Sequence, residues 1–125
     1  MTVLAVVFAS LAALLHVYIW VLGSFRWSEA ATRKAFGVRA EDVEVLRPMA
    51  YNQGFYNLFL AIITVIGLAL FASEPGVGTA LALAGTGSML AAAVVLVTHD
   101  RSMLRAGLIQ GTLPTLAVLF LLAAL

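Results

Sequence analysis

With 125 residues, 63% of them hydrophobic and 10% charged, the chain is far more apolar than a soluble domain. At about 20 residues per membrane crossing, four spans and their connections use this length and leave no room for a soluble catalytic domain. The absence of cysteine excludes thiol chemistry, and a net charge of +1 with seven Lys and Arg gives no basic stripe for nucleic acid.

The first apolar run, about Val3 to Leu22, carries one ionisable residue, His16, with Tyr18 and Trp20 beside it. It lacks the basic n-region, the shorter apolar stretch and the cleavage site of a secretory signal, so it is expected to remain as a helix. From Ser24 to about Met49 the composition turns charged, with Arg26, Arg33, Lys34, Arg39 and Arg47 among Glu29, Glu41, Asp42 and Glu44. This connection is expected at the membrane surface, holding a short interfacial helix that Ser28 caps and Gly37 ends. Trp27 and Phe36 suit that interface. Pro48 marks the approach to the second span, about Ala50 to Ala72, which the turn Ser73, Glu74, Pro75, Gly76 closes. In the third span, about Val77 to Thr98, Ala80, Ala84, Ser88 and Ala92 recur every four residues, a pattern expected to pack helices closely. His99 and Asp100, followed by Arg101 and Arg105, form the last connection and read as a cap or interface anchor rather than a catalytic dyad. The fourth span, about Gly107 to Leu125, contains Pro114, which is expected to kink it. The expected fold is an all-α membrane protein, a single four-transmembrane-helix bundle.

Five Lys or Arg lie between spans one and two, two lie between spans three and four, and none lies between spans two and three. The positive-inside rule puts the charged side in the cytoplasm and both termini outside it. Helices one and three then run inward, and two and four outward. His16 comes roughly 10 Å above the cytoplasmic end of helix one at 1.5 Å per residue. Tyr56 and Asn57 stand at nearly its height, Asn52 and Gln53 a turn lower, and Gln110 at a similar level in helix four. Asn52 with Tyr56, and Gln53 with Asn57, are i, i+4 pairs within an arc of about 140°. Three amides and a phenol are costly against lipid, so this face is expected to point into the bundle. The two readings are interhelical hydrogen bonding and a polar, cytoplasm-facing pocket. His16, the only ionisable group well inside a span, is a candidate acid or base, with the alternative of one neutral interhelical hydrogen bond. Trp20 shares its face at i+4, whereas Tyr18 points away.

The run Leu14 to Phe25 (LLHVYIWVLGSF), the segment Asn52 to Ala61 (NQGFYNLFLA) and the stretch Ile109 to Leu116 (IQGTLPTL) resemble the bacterial membrane family catalogued as domain of unknown function 1304. The resemblance covers nearly the whole chain, and NQGFYN is its most specific part. It implies four helices in the bacterial inner (plasma) membrane and no established activity. The family pattern tends to carry acidic residues in the first helix where Leu15 and Gly23 stand here.

The residues themselves lead to a pocket that binds, or isomerises or cyclises by acid-base chemistry, a small amphipathic or isoprenoid-like molecule. His16 and Tyr56 are its catalytic candidates, and Trp20, Asn52, Gln53, Asn57 and Gln110 are its binding candidates. No cofactor, metal or nucleic acid is implied; the expected partners are membrane lipid, such a ligand and a second copy of the chain. The alternatives are a small dimeric transporter, weakened because no Asp or Glu lies in any span, and an accessory subunit docked through helix three. An exposed small-residue face on helix three would favour the last.

Overall fold

The computed structural model describes residues 1–125 and contains helices and turns only. Five α-helices follow in order: α1 (Thr2–Phe25), α2 (Ala30–Phe36), α3 (Val43–Leu70), α4 (Pro75–His99) and α5 (Leu104–Ala123), with single 3₁₀ turns at Ala40–Asp42 and Arg101–Met103. The four helices other than α2 are long and apolar enough to cross a membrane. α1 packs on α3 and α5, and α4 packs on the same two, so the four form a ring in which α1 and α4 barely meet.

The ring is built on small residues. α1 turns Ala5, Ala9, Ala12, Ala13, His16 and Gly23 inward, and α3 turns Ala50, Gly54, Ala61, Thr64 and Gly67 inward. Larger apolar side chains such as Leu14, Val65, Val95 and Leu119 point outward. This inversion follows from the solvent: lipid rewards no segregation of Leu or Val, so helices associate where small residues let backbones approach. At Gly67 the approach is so close that a Cβ would lie 2.7 Å from the carbonyl oxygen of Gly78. Two larger contacts bind the end near the chain termini, where Phe8 stacks on Phe120 at 5.4 Å and Ala5, Ala82 and Leu121 form a buried cluster.

α4 departs from the sequence expectation. Ala80, Ala84, Ser88 and Ala92 are all exposed, and the inward face is Gly78, Ala82, Gly85, Thr86, Met89 and Ala93. Glycine removes more bulk than alanine, so the face carrying Gly78 and Gly85 wins the contact with α3, where Gly67 and Thr64 meet it.

The charged connection also differs in detail. α2 forms and ends at Gly37, whose φ of 67° is the left-handed C-cap that glycine adopts freely. Its N-cap residue is Glu29 rather than Ser28, without a side-chain cap. Trp27 is not an interface anchor: it is buried, its Nε1 donates to the Val43 carbonyl at 3.1 Å, and its ring meets Phe36. α3 starts at Val43, earlier than the apolar run suggests, and continues through Pro48; α5 likewise continues through Pro114.

Candidate functional site

The polar segment of α3 is positioned by its glycines. Gly54 faces α1, where a Cβ would meet the Trp20 carbonyl at 3.1 Å and the Ser24 side chain. Ser24 Oγ donates to the Tyr51 carbonyl at 2.9 Å, which fixes the end of α1 beside the first turns of this segment. With Gly54 inward, the rotation of α3 is set. Asn52, Gln53 and Tyr56 then fall on the outside, Tyr56 with 62% of its surface exposed, and Asn57 lies at the edge, half-buried. The expectation that all four point into the bundle is therefore corrected. The need to pair each polar group internally was overridden by backbone packing through Gly54, Ala61 and Gly67.

Asn57 satisfies part of its amide locally, Nδ2 donating to the Gln53 carbonyl at 2.8 Å. Asn52 and Tyr56 line a shallow, open groove on the outer surface with Tyr51, Phe55 and Phe59. Successive rings touch along it: Tyr51 to Phe55 at 5.1 Å, Phe55 to Phe59 at 6.3 Å and Tyr56 to Phe59 at 6.4 Å. From α1, Trp20 packs edge-on against Phe55 at 5.6 Å and against Phe25 at 5.4 Å. The sequence reading missed Tyr51, Phe55 and Phe59. Their signal was the aromatic spacing of i, i+4, i+8, which lays three rings along one stripe of a helix.

His16 lies elsewhere. It is completely buried on the inward face of α1, with Nδ1 against the Ala12 carbonyl at 2.9 Å. Tyr56 is outside and His16 inside, so the two catalytic candidates are not brought together as an acid and a base. Trp20 is partly buried with its ring on the aromatic side, against Phe25 and Phe55, and Gln110 is half-buried on α5. At the rim, Asp100 accepts from the Ser102 N–H at 3.0 Å and from its hydroxyl at 2.6 Å, capping the Arg101–Met103 turn. Chiefly the Ser102 hydroxyl, then its N–H, hold the Asp100 carboxyl below its ordinary range, and the neighbouring His99 adds a smaller pull.

Four spanning-length helices in a ring, with an aromatic groove beside the charged connections, define a small multi-pass membrane protein. The chain belongs to the family described as Protein of unknown function (DUF1304), whose model matches residues 10–122. Neither a curated protein nor a solved structure matches it.

Proposed function

We propose that the protein binds a small amphipathic, isoprenoid-like or lipid-like molecule in the outer groove of α3, beside Trp20 and Phe25 of α1. The observation that carries this reading is the groove itself: a stripe of rings from Tyr51 through Phe55 to Phe59, with the Asn52 amide and two phenols beside it. Rings supply apolar length along the membrane normal, and the amide and phenols supply hydrogen bonds to a polar head. The nearby cations favour an uncharged head. Arg47, one turn before Tyr51, is paired with Glu44, and Arg26 is paired with Glu29 at 3.0 Å. Neither offers an unmatched charge to an anion. Binding is the activity supported; acid-base processing needs His16 and Tyr56 together, and they are apart.

The charge bias of the connections supports an orientation with both termini outside the cytoplasm, so in the bacterial inner membrane that the resemblance implies the groove would open to the cytoplasmic leaflet. Native mass spectrometry with lipid extraction tests the binding. An amphiphile retained by the wild type and by Leu119→Ala, but lost from Phe55→Ala and Tyr56→Leu, is the expected result. Equal retention by all four, or nothing bound to the wild type, overturns it.

A second reading is favoured by the exposure of Ala80, Ala84, Ser88 and Ala92 on α4. Such a face suits another membrane helix, from a second copy, as a small dimeric transporter would need, or from a larger complex that this chain serves as an accessory subunit. A dimer in nanodiscs that Ala84→Leu converts to monomer supports the homodimer, and a monomeric wild type ends it.

A further inference from the structure

Charge at the end of the ring that holds the two connections is unevenly neutralised. Glu29 pairs with Arg26 and Glu44 with Arg47, while Glu41 and Asp42 both go to Arg39, at 3.3 and 3.0 Å. Asp100 is taken up by Ser102. Every carboxylate at this end is thereby engaged, and Arg33, Lys34, Arg101 and Arg105 have none. No Asp or Glu occurs in residues 30–40 or 101–125.

Packing joins these four cations into one area. A Cβ on Gly37 would lie 3.3 Å from Met103 Sδ, so the second connection rests against the end of α2. On one side of that contact the Gly37 N–H bonds back to the Arg33 and Lys34 carbonyls. On the other, Arg101 opens the turn that Met103 ends, and Arg105 lies in the first turn of α5. Lys34, Arg101 and Arg105 are exposed and Arg33 is half-buried. α2 is no free arm, since Phe36 packs on the buried cluster of Trp27, Val43 and Ala50 at the start of α3.

We propose that this patch is a docking surface for anionic phospholipid headgroups. Arginine offers paired N–H donors to phosphate, and here its charge is not already matched by a carboxylate. The patch adjoins the ends of α4 and α5, and long cationic side chains at the ends of spans reach the headgroups, which favours a lipid over a soluble anion. The inference goes beyond the aromatic groove and does not rest on it. The arginines beside the groove are paired, so the two surfaces sort lipids by charge.

The test is native mass spectrometry of the full chain released from nanodiscs of equal phosphatidylglycerol and phosphatidylcholine. Both leaflets have one composition, so a variant inserted in the opposite sense is read equally. The wild type is expected to retain phosphatidylglycerol preferentially. Arg33→Gln with Lys34→Gln, and Arg101→Gln with Arg105→Gln, should each cut the preference about ten-fold. Arg26→Gln with Glu29→Gln, which removes a matched pair, should leave it within about two-fold. No preference in the wild type, loss in only one of the two cation variants, or equal loss in the matched-pair control overturns the proposal. So does displacement of the lipid by inorganic phosphate at constant ionic strength, which would make the ligand a soluble anion. Phe55→Ala and Tyr56→Leu should leave phosphatidylglycerol retention unchanged, so the failure of this proposal and of the groove reading are distinguishable.

Discussion

At Gly67 the backbone of α3 lies against that of α4 so closely that any side chain must push the helices apart. A Cβ there would stand 2.5 Å from the Ala82 nitrogen and 2.7 Å from the Gly78 oxygen, and neither backbone atom can rotate away. Gly67→Ala is expected to lower stability by about 1–3 kcal/mol, the usual cost of overpacking. Gly87 is the matched control, since its Cβ would meet nothing within 4 Å. Gly87→Ala should leave stability unchanged or raise it by up to about 1 kcal/mol through helix propensity. Reversible unfolding in mixed micelles would separate the two, and equal effects would mean that α3 and α4 do not pack through glycine. The same residues explain why the site was only partly legible. Composition identified Asn52, Gln53, Tyr56 and Asn57 as unusual for a span, and hydrogen-bond economy argued for turning them inward. What decided their direction was Gly54, a residue whose influence is steric and whose partner, the Trp20 carbonyl, is visible only once α1 and α3 are docked. His16, by contrast, is fully buried, and its one hydrogen bond runs within α1 to the Ala12 carbonyl rather than between helices.

Each of the four long helices was recoverable as a hydrophobic run broken by Gly, Pro or charge, and these runs correspond to α1, α3, α4 and α5. Which face of an element turns inward was harder to read, because α4 offers small residues nearly all round. Ala82 and Ala84 are two residues apart and 200° apart on the helix, one completely buried against Ala5 and Leu121 and the other exposed. Ala82→Leu is therefore expected to cost about 1–3 kcal/mol, while Ala84→Leu in the monomer should stay within about 0.5 kcal/mol of wild type. The reverse order would place the packing face on the stripe that the sequence first suggested. At the end of α4, Asp100 stabilises the turn into α5 through Ser102. Its carboxyl titrates below its ordinary 3.8 when folded, so its contribution is fully present above that value and is lost as pH falls through the folded-state pKa. Amide exchange at Ser102, corrected for intrinsic pH dependence, should show protection falling only below about pH 4, the ordinary carboxylate range. Asp100→Ala should abolish both the protection and its acid dependence.

The whole molecule has one strongly polarised feature, the distribution of its cations. All seven Lys and Arg lie in or beside the two connections at one end of the ring, and the turn at the other end carries Glu74 and none. Such an asymmetry should fix a single orientation during insertion. The chain is free of cysteine, so one introduced thiol reports its own side without background. Glu74 and Lys34 are both exposed and stand at opposite ends. Glu74→Cys is expected to react with a membrane-impermeant maleimide in intact cells, and Lys34→Cys only after permeabilisation. The opposite pattern would move the aromatic groove to the outer leaflet, where the proposed amphiphile would have to be drawn from different lipids. Labelling of both in intact cells would mean that the chain inserts both ways, and the exposed stripe on α4 could then pair with its own inverted copy. Orientation thus decides which leaflet would supply the proposed amphiphile and whether a second copy on α4 would lie parallel or antiparallel.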